Sequence, residues 1–210
     1  MKVLLFNGSP HVKGCTARAL DELEKTLNEN GIEMERIEVG VKDIRGCIAC
    51  NFCREHGKCV FNDLVNETAP KLAECDGVVM GTPVYWAHAN GQALSFLDRL
   101  FYSTSGVINR TMKVGAAVIS SRRAGCTSAM ADINKYFTMN SMPIVSSTYW
   151  NEVHGFKAED VDKDLEGLQT MRNLGRNMAF LIKALQLQKQ KEGGFPKQER
   201  RYFTSFPDGK

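Results

Sequence analysis

Four of the seven cysteines lie in one short stretch, with the spacing C-x2-C-x2-C-x5-C: Cys47, Cys50, Cys53 and Cys59. Clustered thiols in a reducing compartment indicate metal or redox chemistry rather than a disulfide framework. Two-residue gaps let a tight turn bring three sulfurs onto one face of an iron-sulfur cubane, and the distal fourth closes the site. Tetrahedral zinc also uses C-x2-C pairs, but usually two pairs far apart. The overlapping gaps favour a 4Fe-4S cluster over zinc, while a thiol redox relay and a loop of unligated thiols stay open.

A second candidate site follows the first apolar run of the chain. Residues 6–16, FNGSPHVKGCT, form neither a G-x-G-x-x-G turn nor a Walker loop. The hydroxyls of Ser9 and Thr16, with the N–H groups at the start of the next helix, would make a neutral nest for a terminal phosphate. Such a nest suits flavin mononucleotide (FMN). The competing interpretation is a hydroxyl-rich helix start that binds nothing.

Two later loops carry side chains that a flavin ring would use. Tyr85 and Trp86 offer an aromatic wall for a flat heterocycle, or else they cap the core. Arg122 or Arg123 would stabilise the negative charge that appears at the pyrimidine edge on reduction, or would bind the phosphates of a nicotinamide cofactor. As surface residues, these two arginines are otherwise simply solvated.

An alternating series of strands and helices must position these loops. Buried strands are predicted at 2–6, 32–39, 76–82, 113–119 and 143–147. Amphipathic helices are predicted at 16–30, 63–74, 89–102, 127–140 and from 165 to about 185. Strands that are apolar on both faces and alternate with helices are typical of an α/β, doubly wound, five-stranded parallel sheet. Ligands of such sheets bind at the carboxyl ends of the strands, where the three loops above begin.

Six short motifs extend this pattern: Asn7-Gly8-Ser9-Pro10 with Gly14 and Thr16, the cysteine cluster, Pro83-Val84-Tyr85-Trp86, Phe96-Leu97-Asp98-Arg99, Arg122-Arg123-Ala124-Gly125 and Tyr149-Trp150-Asn151. In this order they resemble the flavodoxin-like NAD(P)H-dependent FMN reductases and, more closely, the iron-sulfur flavoprotein branch of that family. The resemblance covers about residues 1–185. It implies a three-layer flavodoxin-like fold with strand order 2-1-3-4-5, and usually a homodimer or homotetramer that closes the site.

The resemblance also implies the site residues. FMN would be held by Ser9, Pro10, His11, Gly14, Cys15, Thr16, Pro83, Val84, Tyr85, Trp86, Ser120, Arg122, Arg123, Ala124 and Gly125. Thiolates for a 4Fe-4S cluster would come from Cys47, Cys50, Cys53 and Cys59. No side chain is predicted to act as a catalytic acid or base, because hydride transfer to a flavin requires none. A cluster in this loop would lie beside the flavin and pass single electrons; without one, the loop would be a lid or an oligomer contact.

These residues predict an FMN-dependent oxidoreductase that takes electrons from NAD(P)H and passes them to a quinone, a flavin, a metal ion or a protein. The alternative is an iron-sulfur flavoprotein that carries single electrons between ferredoxin-like partners. A third interpretation, without redox chemistry, is an interaction module whose cysteine loop binds zinc.

Composition limits the partners. The chain has 210 residues, 43% hydrophobic and 24% charged, and its net charge of +3 is accounted for by residues 189–210, which hold six Lys or Arg and three Asp or Glu. The neutral remainder argues against a nucleic-acid partner. Since a signal peptide and an apolar run of about 20 residues are both lacking, we expect a cytoplasmic protein with no membrane partner.

The domain organisation follows from the same pattern. One FMN-binding domain is predicted over residues 1–190, with the cysteine loop at 46–60. Residues 191–210 form a tail with four aromatic side chains, which we expect to pack on a neighbouring subunit or to be disordered: Phe195, Tyr202, Phe203 and Phe206.

Overall fold

A parallel β-sheet forms the centre of the computed structural model, which describes residues 1–199, 202 and 204. The strands are β1 (Lys2–Asn7), β2 (Glu33–Glu38), β3 (Gly77–Tyr85), β4 (His88–Ala89), β5 (Val114–Ser121) and β6 (Glu152–His154). Five of them are parallel in the order β2-β1-β3-β5-β6, and the two-residue β4 pairs antiparallel with the end of β3. When β4 is set aside, this is the predicted order 2-1-3-4-5, so the predicted α/β fold is confirmed.

Helices cover both faces of the sheet. They are α1 (Cys15–Glu29), α2 (Phe52–His56), α3 (Leu64–Glu74), α4 (Gly91–Ser103), α5 (Cys126–Met139), α6 (Ala158–Val161) and α7 (Leu165–Glu192). The pair α1 and α7 packs on one face, and α3, α4 and α5 pack on the other. Three of the helices begin at a side chain that accepts a backbone N–H of the first turn, as good N-caps do: Asp63 for α3, Asn90 for α4 and Asp164 for α7.

The alternation of side chains along β1 explains why two cores form. Val3 and Leu5 point to the core that α1 and α7 cover, whereas Leu4 and Phe6 point to the core under α3, α4 and α5. All four are fully buried, and each burial is worth about 1.5–3 kcal/mol. A strand that feeds two cores must be apolar at every position, which is the pattern of residues 2–6.

The fifth predicted strand differs from the observed one. Residues 143–147 were expected to form it, but only an isolated bridge between Ile144 and Gly115 forms there. The chain then loops outward and returns as β6, which pairs with Ile119–Ser121 further along β5. The edge strand is thus split in two, because Ser146 and Ser147 turn to α7 instead, where Ser147 Oγ donates to the Thr170 carbonyl.

The start of the tail folds back on its own subunit. Phe195 lies under the ammonium group of Lys189, 5.1 Å from ring centroid to nitrogen. With Lys113 and Asp76 it lines a cleft of about 580 Å³ at the amino ends of β3 and β5, the opposite edge to the one where ligands bind in this architecture. Phe203 and Phe206 lie outside the described residues, so packing of the tail on a neighbouring subunit stays a prediction.

In the described part of the chain, no helix combines the length and the apolar character needed to cross a membrane.

Candidate functional site

Three loops converge at the carboxyl ends of β1, β3 and β5. The N–H of Gly8 donates to the carbonyl of Gly81 at 2.7 Å, which ties the first loop to β3. The hydroxyls of Thr16 and Ser120 hydrogen-bond each other at 2.7 Å and are buried, which ties the start of α1 to the end of β5. Between these loops lies a cleft of about 530 Å³, within the range of about 300–1,000 Å³ for small-molecule sites.

The first loop is supported by the residues that follow β2. Backbone N–H groups of Val39 and Gly40 donate to the carbonyl of Asn7 at 2.8 and 3.0 Å. A Cβ on Gly40 would lie 2.3 Å from the carbonyl oxygen of Gly8, so only glycine permits this approach. The turn of the first loop is therefore fixed by backbone contacts before any ligand binds.

Ten of the fifteen residues predicted to bind the cofactor line this cleft: Ser9, His11, Gly14, Cys15, Thr16, Pro83, Val84, Tyr85, Ser120 and Arg122. Five do not line it: Pro10, Trp86, Arg123, Ala124 and Gly125. The geometry brings together the hydroxyl-rich first loop, the aromatic loop and one of the two arginines.

Trp86 stands away from the cleft because of the turn that carries it. Trp86 and Ala87 both have positive φ, 52° and 62°, at the tip of the β3–β4 hairpin, as a two-residue hairpin turn requires. The Trp86 side chain is 97% exposed there. Gly125 supports the hairpin: it has φ of 93°, and a Cβ on it would meet Val84 at 2.8 Å. The predicted homodimer or homotetramer stays a prediction.

A wall of the cleft that the sequence did not predict comes from residues 155–159. Two N–H groups of this turn, on Phe156 and Lys157, donate to the Asp160 carboxylate at 3.2 Å each. These hydrogen bonds lower the pKa of Asp160, so the carboxylate is charged and holds the turn at neutral pH. The turn follows β6, a strand of three residues that is too short for its periodicity to be recognised in the sequence.

The end of the cleft at α1 is suited to an anion. Helix α1 begins at Gly14 without a side-chain cap, in contrast to α3, α4 and α7. Among the described residues no side chain caps its first N–H groups, which carry the positive end of the helix dipole. The Ser9 hydroxyl accepts the N–H of His11 at 3.1 Å, which leaves its own proton available for a ligand. Uncapped N–H groups beside a buried hydroxyl fit a phosphate.

Charged side chains around the cleft are mostly basic. Of the described residues that line it, Lys13, Arg122 and Lys157 are basic and Glu159 alone is acidic. The chain outside the tail has no net charge, so this local excess is a property of the site. Low-dielectric walls concentrate such a field on an anionic ligand.

A polar network backs the end of β5. Ser121 also lines the cleft; its hydroxyl accepts from the Cys126 thiol at 3.1 Å and lies 3.3 Å from Nδ1 of His154. On the far side of the imidazole, Glu152 lies 3.6 Å from Nε2. Burial raises the pKa of Cys126 to about 11, so this thiol is neutral. The sequence did not predict the network because its members lie on β5, α5 and the unrecognised β6.

The four clustered cysteines share a second cavity. Cys47, Cys50, Cys53 and Cys59 all line it, together with Arg99, Tyr102 and Ser103 of α4. Burial, reinforced by the three neighbouring thiols, raises the pKa of Cys53. In the described part of the chain, the Ser103 hydroxyl is buried without a hydrogen-bond partner, which is costly unless something in the cavity accepts its proton. The sulfur atoms of an iron-sulfur cluster would be such acceptors.

A single metal ion would need the sulfurs closer together than they are. Among the described residues, no three His, Cys, Asp or Glu side chains are gathered closely enough to hold one ion, and zinc needs its sulfurs about 2.3 Å from a single centre. In a cubane each thiolate binds a different iron corner, so the four sulfurs stand further apart. The space enclosed is about 20 Å³. Four thiols and an unpaired hydroxyl are donors that suit an iron-sulfur cluster, and zinc stays the alternative.

Comparison with known families agrees with this geometry. Residues 1–157 match the family model described as NADPH-dependent FMN reductase. The chain belongs to this family. A member of the NADPH-dependent FMN reductase family is a flavin-dependent oxidoreductase, and FMN is the cofactor that the family implies.

Relatives of this FMN reductase family member define its branch. An iron-sulfur flavoprotein of Methanocaldococcus jannaschii is 35% identical over 192 residues, which is 88% of this chain and 99% of the relative. An iron-sulfur flavoprotein of Methanosarcina thermophila is 23% identical over 193 residues, 91% of this chain and all of the relative. The chain thus lies in the iron-sulfur flavoprotein branch of the family.

Solved structures confirm the fold. RosB, solved with the bound intermediate 8-demethyl-8-formylriboflavin-5'-phosphate, aligns with a TM-score of 0.69 at 14% identity, over 99% of this chain and 93% of RosB. A flavodoxin from the domain Archaea aligns with a TM-score of 0.58 at 17% identity, over 87% of this chain and 99% of the flavodoxin. The predicted flavodoxin-like fold is therefore confirmed.

Proposed function

We propose that this protein is an FMN-dependent oxidoreductase that takes electrons from NAD(P)H and passes them to a quinone, a flavin, a metal ion or a protein. The observation that carries the proposal is the convergence of the loops after β1, β3 and β5 on one basic cleft. Bound FMN would supply hydride acceptance from NAD(P)H and one- or two-electron transfer to the acceptor.

Each wall of the cleft has its own part in this function. The N–H groups at the start of α1 and the hydroxyls of Ser9 and Thr16 bind the phosphate. Tyr85 and the backbone of Pro83 and Val84 border the ring. Arg122 stabilises negative charge on the reduced ring or the phosphates of NAD(P)H. The other predicted contacts, from Pro10, Trp86, Arg123, Ala124 and Gly125, lie outside the cleft and would act only after a rearrangement or through a second subunit.

The cysteine loop supports the second candidate function, a one-electron carrier between ferredoxin-like proteins. Four cysteines that share one cavity with an unpaired buried hydroxyl favour a 4Fe-4S cluster held by Cys47, Cys50, Cys53 and Cys59. When bound, such a cluster would supply single-electron transfer. An FMN reductase with a cluster would convert the electron pair of a nicotinamide into single electrons for a protein acceptor.

Anaerobic purification followed by a reduction experiment tests both functions. We expect a flavin spectrum, FMN released on denaturation, and iron and sulfide in the ratio of a 4Fe-4S cluster. After rapid mixing with NADPH or NADH in a stopped-flow instrument, the absorption band of the oxidised flavin should bleach. A protein that binds no FMN in titration calorimetry would refute the proposal. Flavin reduced only by a reduced ferredoxin would favour the carrier, and stoichiometric zinc without iron would exclude the cluster.

A further inference from the structure

Arg99 is the most deeply buried large side chain beside the cysteine cavity, and it points at one of the four sulfurs. Only 1% of its surface is exposed. Its Nε and Nη2 groups donate to Sγ of Cys59 at 3.3 and 3.2 Å. The same guanidinium binds both oxygens of Asp63, at 2.7 and 2.9 Å. One planar fork therefore serves the sulfur along one edge and the carboxylate along another.

The contacts of Arg99 fix the returning arm of the cysteine loop. Its Nη1 also donates to the carbonyl of Arg45 at 3.3 Å, before the first cysteine. The Asp63 carboxylate that it binds caps helix α3 through the N–H of Val65. Arg99 thus joins α4, the start of α3 and both ends of the loop.

Cys59 differs from the other three cysteines in this respect. Cys47 accepts one backbone N–H, from Ala49 at 3.5 Å, whereas Cys59 receives two N–H groups of a cation. A carboxylate alone would be an adequate partner for a buried arginine. Donors aimed at a sulfur have a further effect, because hydrogen bonds to sulfur raise the reduction potential of an iron-sulfur cluster by stabilising the added negative charge.

We infer that Arg99 is a positioning residue for the cluster site: it holds Cys59 in place as the fourth ligand and raises the cluster's reduction potential through two N–H donors. This inference rests on the proposed cluster. Reduction transfers one electron to the cluster from the reduced flavin of the proposed function, with no bond made or broken in the protein, and the guanidinium stays protonated in both states.

The substitution Arg99→Lys tests the inference, because lysine keeps the charge but loses the fork. We expect potentiometric titration, followed by electron paramagnetic resonance of the reduced cluster, to give a more negative midpoint. The equilibrium constant for reduction should fall about tenfold, which is 59 mV for a one-electron couple. Arg45→Lys is the matched control. The guanidinium groups of Arg45 and Arg99 both stack on the Phe61 ring, at 4.6 and 5.0 Å, but in the described part of the chain Arg45 donates to none of the four sulfurs. The midpoint potential of Arg45→Lys should differ from that of wild type by less than a third of the shift expected for Arg99→Lys.

A second measurement needs no substitution at Arg99. In Arg45→Lys protein labelled with ¹⁵N-arginine, pulsed electron paramagnetic resonance should detect a guanidinium nitrogen coupled to the reduced cluster. Equal midpoints in wild type and Arg99→Lys, or no such coupling, would overturn the inference while leaving the cluster in place. Wild-type protein without iron and sulfide would overturn the proposed cluster and this inference with it.

Discussion

The seven thiols, considered residue by residue, occupy very different surroundings. Cys47 and Cys50 are exposed, Cys15, Cys53 and Cys59 are half-buried, and Cys75 and Cys126 are buried. Burial raises the pKa of Cys75 to about 11, and that of Cys126 to about 11 as well. The thiolate is the reactive form of cysteine. Burial therefore slows the reaction of Cys75 and Cys126 in two ways: it blocks the reagent, and the raised pKa leaves little thiolate.

Thiol labelling should therefore separate the cysteines. In native protein freed of iron with a chelator, at pH 8, we expect a disulfide reagent to react first with Cys47 and Cys50. Cys75 and Cys126, with about one thiol in a thousand ionised, should react only after denaturant is added. Mass spectrometry of timed samples identifies the sites, and a Cys47→Ser, Cys50→Ser variant should lose the fast phase. Early labelling of Cys75 would contradict the structure.

At the residue scale, the types of side chain in the sequence predicted much of the lining of the cleft, but not which neighbouring residues lie outside it. Ser9, Thr16 and Tyr85 could be chosen because hydroxyls and an aromatic ring followed apolar strands. Trp86 was chosen for the same reason, yet a hairpin with two positive φ angles turns it outward. Arg99 was noticed only within a family motif. Its contact with Cys59 joins residues 40 positions apart, and nothing local in the sequence encodes such a contact.

At the scale of elements, one carboxylate on α1 forms an ion pair with α7 beside their shared apolar core. Glu22 of α1 accepts from Arg172 of α7 at 2.6 Å and from Arg18 at 3.0 Å, and its side chain is 14% exposed. Burial alone would raise the pKa of Glu22, but the hydrogen bonds from Arg172 and Arg18 outweigh it and hold the pKa below its ordinary value of 4.5. Since the pKa is lower in the folded state, the stabilisation is complete above pH 4.5 and is lost as the pH falls through the folded value.

Glu22→Gln should lower the free energy of unfolding by about 1–2 kcal/mol at pH 7, between the values for exposed ion pairs and for hydrogen bonds to buried charges. The gap to wild type should be constant from pH 6 to 8 and should shrink below pH 4.5. Urea unfolding at several pH values measures it. Asp21→Asn is the control on the same helix: its side chain is 55% exposed and pairs with Arg36, so the loss should stay under about 0.5 kcal/mol. If the difference in unfolding free energy between wild type and Glu22→Gln widened as the pH fell, charged Glu22 would not be the stabilising form.

Elements with a strong hydrophobic period were predictable, and short ones were not. The predicted helix at 63–74 and its cap, Asp63, agree with α3, because both signals are local. The edge strand was predicted at 143–147 from its apolar residues, but the chain pairs with β5 there only through Ile144. Strand β6 makes the rest of the pairing with β5. It is also held by Asp164, the N-cap of α7, which accepts the N–H of His154. The wall at 155–159 was missed for this reason, since it follows β6.

At the scale of the whole molecule, the cleft joins parts of the chain that belong to both cores. Its walls begin at β1, β3, β5 and β6, and the bond between Thr16 and Ser120 spans 104 residues. A ligand in the cleft therefore contacts segments that separate only when the sheet itself comes apart. Binding should stabilise the entire fold rather than one loop, because a ligand that binds only the folded state shifts the unfolding equilibrium by mass action.

FMN and riboflavin share one ring system and differ in the phosphate. Comparing how much each stabilises the fold tests the phosphate end of the cleft. At a free FMN concentration of about 100 times its Kd, folding is stabilised by about 2.7 kcal/mol, which for a chain of this size raises Tm by about 5–10 °C. Riboflavin lacks the phosphate and so cannot use the uncapped N–H groups of α1 or the Ser9 hydroxyl. At the same concentration it should raise Tm by less than half as much in a thermal scan of the apoprotein. Inorganic phosphate alone controls for a simple anion effect. Equal shifts from FMN and riboflavin would mean that the start of α1 does not hold the phosphate, because the ring would then account for all of the binding.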